Sequence, residues 1–444
     1  MGFHHALKVT EDLCTGCTHC MTACPTEAIR VRNGKAVISD ERCVDCGNCC
    51  KACPVSAIVI EQDDFDDIFS YPVRIALLPS VLIGQFPSHI KTEEVYGALK
   101  SLGFTHIFEI DTMVDLVQLG YDRFIEKNQD QKPAISTFCP AIVRLIQVRF
   151  PSLVSNLVRI KPPSDVAAIY YRQEMVKQGY DPGQIGIYYV TPCAAKVASI
   201  KSPVGEEVSP VNGVINMEYL YNKVLHLIMN KEVGVSNQTD TGNLTSKGIL
   251  WSLTRGESGH QKGRCLAVDG MSNVTEFLER LEESEESNMD FLELRACDES
   301  CAGGVLISGN RFLTVERLNR RAGFLAHKGL QSTHTEEFDD SLYSLDEISA
   351  RSMLVLDSDR KIALEKMNKV EELLKVLPGI DCAACGSPNC RALAEDIVQD
   401  SAELSWCIFL QEIYLRDNRL SLEEADKING DIWGDERDYR SQRK

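Results

Sequence analysis

From Tyr71 to about Arg320, short apolar β-branched runs alternate with longer amphipathic stretches. Val73 to Leu78, Thr105 to Ile110 and Ile185 to Val190 predict strands, and Glu93 to Leu102 and Asp165 to Gln178 predict helices. Such alternation implies an α/β domain of largely parallel sheets with flanking helices. The polar stretch from Lys231 to Lys262, rich in Gly, Ser, Thr and Asn, reads as a surface excursion. Cys265-Leu-Ala-Val resumes as a strand, and a helix follows from about Val274 to Glu283. Further on, a helix from about Asp359 to Val376 carries apolar Ala363, Met367, Val370 and Leu374, and Pro378-Gly379 ends it. A second helix is expected from Leu393 through Cys407, with residues 430–444 polar and frayed. The pattern divides the chain into a small α+β segment over 1–68, the α/β domain over 69–325, a linker over 326–355, a helical domain over 356–425 and a polar tail over 426–444.

Composition narrows the class. With 44% apolar and 25% charged residues among 444, the chain can bury a large core. No apolar run reaches the ~18 residues of a membrane span. Met1-Gly2-Phe3-His4-His5 lacks the basic and apolar regions of a secretory signal. A net charge of −18 disfavours nucleic acid, whose phosphates call for basic patches. Acidic stretches such as Glu61 to Asp67 and Glu282 to Glu286 are most simply solvated faces, a basic partner being the alternative.

The eighteen cysteines change the picture most. Cys14, Cys17, Cys20 and Cys24-Pro25 form a C-x2-C-x2-C-x3-C-P run, repeated by Cys43, Cys46, Cys49 and Cys53-Pro54. This spacing binds a four-iron cluster through thiolates, and it argues against a disulfide framework. Residues 9–31 and 38–60 are an internal repeat, each cysteine run being followed by Pro-x-x-Ala-Ile. That is the layout of a two-cluster ferredoxin, in which the fourth cysteine of each run ligates the other cluster. One site is then Cys14, Cys17, Cys20 and Cys53, and the other Cys43, Cys46, Cys49 and Cys24. Cys50 and Cys265 are spare, and His19 reads as an exposed residue beside a cluster. Cys382, Cys385, Cys390 and Cys407 form a further cluster site. Thiolate ligands need a reducing compartment, so the cytoplasm is expected.

Between these sets lie Cys139-Pro140, Pro192-Cys193-x-x-Lys196 and Cys297-x3-Cys301-x-Gly303-Gly304. Three of these cysteines follow apparent strands or begin helices, where open α/β sheets place ligands. Here the chain resembles the iron-only (FeFe) hydrogenases. That family carries Thr-Ser-Cys-Cys-Pro, Met-Pro-Cys-x-x-Lys and a Cys-x3-Cys-x-Gly-Gly preceded by Met-Ala. This chain has Ser136-Thr137-Phe138-Cys139-Pro140, Thr191-Pro192-Cys193-Ala194-Ala195-Lys196, and Arg295-Ala296-Cys297 to Cys301-Ala302-Gly303-Gly304. Pro79-Ser80 matches the Pro-Ser that approaches the diiron unit. The likeness covers residues 9–325, and the last cysteine set looks like a module of sensory-type members. It implies an H-cluster: a four-iron cluster on Cys139, Cys193, Cys297 and Cys301, with Cys301 bridging to a diiron unit bearing carbonyl, cyanide and an amine dithiolate. Three further four-iron clusters complete the set. Lys196 and Ser80 would donate to the two cyanides, with Pro79 and Pro192 lining the pocket. An ordinary surface role is the bland alternative for Lys196.

The departures bear on rate. The family's proton-passing cysteine is replaced by Phe138, which has no ionisable group. The serine further along aligns with Val158, no glutamate stands out over Asp115 to Phe124, and Ser199 replaces a glutamate after the second motif. Two methionines are replaced by Thr191 and Arg295. A positive Arg295 facing the cluster would raise its potential, and one facing solvent would not. Slow turnover follows, with Phe138→Cys expected to raise activity where proton transfer limits the rate.

Three functions fit. The first is a slow, sensory or regulatory hydrogenase that binds or oxidises H2 and passes electrons to a partner. The second is a fully active ferredoxin-dependent hydrogenase using another proton path, and the third an electron-transfer protein without the diiron unit. The expected partners are H2 and protons, a redox protein such as ferredoxin or a regulatory output protein, and maturation proteins. A homodimer is left open. The last cysteine set serves as an electron exit or pins the final helices.

Overall fold

The computed structural model describes residues 3–232, 244–283, 288–328, 342–351 and 356–434. Two compact units emerge: 1–6, 44–46 and 61–350 in one, and 7–43, 47–60 and 351–444 in the other.

The first unit is the α/β domain. Its larger sheet has four parallel strands in the order His106–Glu109, Val73–Leu78, Ile185–Thr191, Gly213–Asn216. Ile75 sits opposite both His106 and Ile187, so Val73–Leu78 is interior to the sheet. Every residue of Ile185–Thr191 is buried, which explains its unbroken apolar run: a parallel strand covered on both faces shows no alternation. A second parallel sheet orders Cys265–Asp269, Phe291–Arg295 and Ala134–Ile135. Helices Thr92–Ser101, Val114–Lys127, Pro140–Arg149, Pro163–Lys177, Met217–Met229, Met271–Glu283 and Arg311–Lys328 flank the sheets. The expected strands and helices of this region are present with ends shifted by a few residues.

Two expectations for this unit need correction. The polar stretch read as an excursion from Lys231 to Lys262 lies outside the described residues over 233–243. From Leu244 onward it turns inward, with helix Ser246–Leu250 and buried Trp251, Ser252 and Glu257. Thr245 caps that helix by accepting the Gly248 amide, and Glu257 is paired, so polarity here marks an internal network. In the expected linker, Arg311–Lys328 runs helical beyond 325, residues 329–341 and 352–355 lie outside the described residues, and Tyr343 is buried. A Cβ on Gly120 would meet the Tyr343 ring at 3.1 Å, so this segment packs closely on helix Val114–Lys127.

The second unit opens with two antiparallel ladders, Leu7–Val9 with Ile58–Ile60 and Ile29–Arg32 with Lys35–Ile38. Asn33-Gly34 joins the second pair with both residues at positive φ, 50° and 70°, the hairpin turn this dipeptide favours. The turn also accepts a neighbour. Asn33 N and Gly34 N donate to the carbonyls of Asp431 and Ile432, and a Cβ on Gly34 would lie 2.5 Å from the Trp433 carbonyl. The last turn of helix Leu422–Trp433 is thus satisfied by the hairpin.

This helix replaces part of the expected polar tail. Ser421 and Glu424 form a capping box that starts it, and residues 435–444 lie outside the described residues. The helix expected from Leu393 through Cys407 ends at Val398, where the chain turns through Asp400 at φ 58°. Cys407 instead caps helix Ile408–Arg416. Helix Arg360–Val376 starts at Asp359, whose side chain accepts the amides of Lys361 and Ile362. Its Val370 enters a core with Leu377, Leu393, Val398 and Leu410, while Met367 stays exposed. Arg30 and Arg32 share Asp396 at 2.7 and 2.8 Å, and Arg42 pairs with Glu395 at 2.6 Å.

Among the described residues no helix is long and apolar enough to cross a membrane.

Candidate active site

Four strand ends build the site. Val73–Leu78 runs into Pro79 and Ser80, Ala134–Ile135 into Ser136 to Cys139, Ile185–Thr191 into Pro192-Cys193, and Phe291–Arg295 into Cys297. Carboxyl ends of parallel strands are where open sheets leave crevices, and here two sheets contribute. Cys139 caps helix Pro140–Arg149 and Cys193 caps helix Ala194–Lys201, so both thiols stand where the helix dipole favours negative charge. The paired glycines of the third motif have a steric cause. A Cβ on Gly304 would lie 2.4 Å from the Pro192 carbonyl, and Leu306 N donates to that same carbonyl at 3.0 Å. Only glycine lets the Cys297–Cys301 turn settle onto the Pro192-Cys193 loop.

The thiols lie close enough to feel one another. Burial pushes Cys193 up to about 12, with Cys301 and Cys139 adding to the rise and Lys196 opposing it. Cys301 is raised by burial as well, against Lys196 and Arg295. Buried thiolates in such proximity need a compensating positive charge, which iron supplies.

Lys196 is buried, and its charge reaches Cys193, Cys301 and the buried carboxyl of Asp165. It lies 4.1 Å from the centroid of the Phe138 ring. A buried ammonium is costly unless anions face it. Beside Cys193 and Cys301, this donor set fits an anionic iron group carrying a hydrogen-bond acceptor.

Arg295 is buried, not solvent-facing. Its guanidinium lies 4.1 Å from the same Phe138 ring centroid, 2.6 Å from Glu257 and 3.6 Å from Glu293. Burial pulls Arg295 down, but the two carboxylates outweigh it and the net shift is upward. Glu257 is pushed up to about 7 by burial, which together with Glu293 overcomes Arg295. The Ser136 hydroxyl donates to Glu257 at 2.8 Å, Tyr121 also contacts that carboxylate, and Glu293 accepts the amides of Glu257 and Ser258 at 3.1 and 2.8 Å. Thr137 donates to the Val158 carbonyl at 2.8 Å, so Val158 contributes only backbone to this network. Ser199 donates to the Lys196 carbonyl, an ordinary turn-to-turn bond. Thr191 is buried and donates to the Cys193 carbonyl at 3.0 Å.

Ser80 stands in a second network. Its hydroxyl donates to Glu109 at 3.0 Å and its amide to Asp111 at 2.6 Å. Arg321 grips Glu109 at 2.5 and 2.7 Å, and Tyr96 donates to the same carboxylate. Burial works to raise Glu109, but Arg321 prevails and holds it low. Burial and the Glu109 charge push Asp111 up to about 7.

The sequence missed Glu257, Glu293, Tyr121, Glu109, Asp111 and Arg321. Glu293 and Glu109 do carry a signal, since an acid inside an otherwise apolar strand calls for a buried partner.

In the second unit the cysteines also gather. Cys20 is raised by burial and by Cys17 and Cys14. Cys49 is raised by burial and by Cys50, Cys43, Cys24 and Cys20. The Pro-x-x-Ala repeat has a local reason: Ala28 N donates to Cys24 Sγ and Ala57 N to Cys53 Sγ, each at 3.2 Å. Cys46 belongs to the other unit. The spare Cys50 donates to the Ile58 carbonyl at 3.0 Å, and Cys265 lies at a strand start. His19 is exposed. Cys385 is raised by burial and by Cys382 and Cys407, with Cys390 packed against the same core and Cys382 exposed.

The family described as iron only hydrogenase large subunit, C-terminal domain, matches residues 73–242. A 4Fe-4S dicluster domain matches 6–54, and an Fe-S cluster family matches 377–409. Iron hydrogenase 1 of Clostridium pasteurianum is 28% identical over 123 residues, 26% of this chain and 21% of that protein. The NADP-reducing hydrogenase subunit HndD of Solidesulfovibrio fructosivorans is 24% identical over 203 residues, 43% of this chain and 31% of its own. A component of the ion-translocating oxidoreductase complex of Rhodobacter capsulatus is 44% identical over 48 residues, 11% of this chain and 26% of its own. The chain spans about a third or less of the length of these curated relatives. A solved FeFe-hydrogenase HydA1 variant from Chlamydomonas reinhardtii has a TM-score of 0.46 at 13% identity, over 63% of this chain and 96% of that one. Residues 73–242 are thus similar to the iron-only hydrogenase large subunit, with a segment similar to a 4Fe-4S dicluster domain before them and one similar to an Fe-S cluster family after them.

Proposed function

We propose that the chain is a slow FeFe-hydrogenase of the sensory or regulatory kind. It binds or reversibly oxidises H2 at an H-cluster on Cys139, Cys193, Cys297 and Cys301. When bound, that group supplies hydrogen cleavage and formation at iron. Lys196 holds a positive charge toward it, Ser80 stands at the same end of the neighbouring parallel strand, and Phe138 keeps the nearest side chain from moving protons. Electrons pass through three further four-iron clusters, on Cys14, Cys17, Cys20 and Cys53, on Cys43, Cys46, Cys49 and Cys24, and on Cys382, Cys385, Cys390 and Cys407. They leave to a redox or regulatory partner in the cytoplasm, after maturation proteins have loaded the diiron unit.

The observation that carries this reading is the buried ammonium of Lys196 beside Cys193 and Cys301. A bare four-iron cluster would offer that charge only sulfur acceptors, whereas an iron-bound cyanide offers a nitrogen. The test is an infrared spectrum of anaerobically matured protein, under argon and then hydrogen. Carbonyl and cyanide bands that respond reversibly to hydrogen are expected. Their absence after full maturation would leave the electron-transfer reading.

One observation favours a faster enzyme. Glu257, held near neutrality and hydrogen-bonded to Ser136, is a buried proton acceptor on the Phe138 side of the site. Turnover comparable to ordinary hydrogenases in the wild-type protein would establish that second reading.

A further inference from the structure

Phe138 stands where the family places a proton-passing cysteine, so it looks like a gap in a relay. Its surroundings give it a second role. The Lys196 ammonium and the Arg295 guanidinium each lie 4.1 Å from the centroid of this one ring, and all three side chains are buried. The two cations differ in what else holds them. Arg295 is clasped by Glu257 at 2.6 Å and by Glu293 at 3.6 Å. Among the described residues Lys196 is clasped by no such carboxylate pair, the buried Asp165 acting on it only through its charge, and its four-carbon stem leaves the ammonium able to swing. The negative face of an aromatic ring attracts a cation most when water is excluded, as it is here.

The geometry points to Phe138 as a positioning residue whose ring holds the Lys196 ammonium at its place beside Cys193 and Cys301 while also carrying Arg295. This rests on the H-cluster reading only for what the ammonium addresses, since the restraint belongs to the chain. Its consequence runs against simple restoration of the family residue. A cysteine at 138 adds a proton donor but removes the ring, so Phe138→Cys gains a relay and loosens Lys196 together.

The test compares Phe138→Tyr, which keeps the ring face, with Phe138→Leu, which keeps apolar bulk without it. In matured protein the readout is the infrared cyanide bands. Phe138→Tyr is expected to coincide with wild type, and Phe138→Leu to move or broaden the band that Lys196→Met also moves. Bands of Phe138→Leu that coincide with wild type would overturn the assignment, as would equal shifts in both variants. The second readout is the midpoint potential of the four-iron cluster on Cys139, Cys193, Cys297 and Cys301 in protein matured without the diiron unit. It should shift in Phe138→Leu and hold in Phe138→Tyr; equal potentials in all three proteins would count against the role. If wild type shows no carbonyl or cyanide bands, the H-cluster reading fails while the potentials still decide Phe138. Should Phe138→Leu lose its clusters, Phe138→Met takes its place with the same outcomes.

Discussion

Arg295 lies 2.6 Å from Glu257, and both side chains are buried. An acid so placed would ordinarily stay ionised against its guanidinium. Burial and the second carboxylate, Glu293, undo that preference and bring Glu257 to about 7. The pair therefore changes net charge near neutral pH, beside Phe138 and within reach of the cluster thiols.

Glu257→Gln keeps the side-chain shape and can still accept from Ser136, but it cannot take up a proton. As a base, Glu257 is ionised above about pH 7, so wild-type H2 oxidation should rise with pH through that point. The variant should be slower by roughly a hundredfold or more, with that rise missing. Rates measured from pH 5.5 to 8.5 check this, and an unchanged profile would assign the proton to another group.

Asp111 gives a pH effect on stability. Its folded-state carboxyl is raised to about 7 by burial and by Glu109. Between its ordinary value and about 7 the folded chain binds more protons than the unfolded one, so stability falls as pH rises through that window. Asp111→Asn should flatten this slope and stabilise the protein above pH 7, by at most ~1.4 kcal/mol for each tenfold gain in proton affinity that folding gives the carboxyl. Anaerobic unfolding of iron-loaded protein at pH 5.5 and 8 is the measurement. Equal slopes in both proteins would rule the effect out.

Gly304→Ala places a methyl group against the Pro192 carbonyl, which a Cβ would approach to 2.4 Å. The clash is with backbone, so the two loops must part. The expected outcome is loss of the four-iron cluster on Cys139, Cys193, Cys297 and Cys301, with the other clusters kept. Iron content and electron paramagnetic resonance of the variant decide it; a full complement would show that the loops can shift.

Asp396→Ala strips Arg30 and Arg32 of their shared carboxylate, and both guanidiniums are largely buried. Breaking such a pair from one side costs about 3–5 kcal/mol. Denaturant titration of wild type and variant should show a loss of that order, and one under about 1 kcal/mol would mean water reaches the arginines.

What the sequence revealed followed its local rules. Cysteine spacing and the Pro-x-x-Ala repeat are short-range, and Ala28 and Ala57 do bond the sulfurs four residues back. The all-apolar run at Ile185–Thr191 announced a parallel strand. Glu257 was hidden because a polar stretch with no periodicity looks the same whether it meets water or Arg295. The helix Leu422–Trp433 was hidden because its C-terminal carbonyls find their donors in Asn33 and Gly34, far back in the chain. The unusual pairing of Phe138 with two cations needed three separate strand ends to meet.

The Arg30–Asp396 contact joins residues 366 positions apart, across the whole α/β domain in sequence. During synthesis the first two cysteine runs emerge early, yet the helices that cover Ile29–Arg32 and cap its hairpin emerge several hundred residues later. At roughly 5–20 residues per second, the early segment waits tens of seconds for its partner. Cluster insertion there faces a choice of timing: iron enters a half-built unit exposed to solvent and oxidants, or a delivery system holds it back until residues near 430 have left the ribosome.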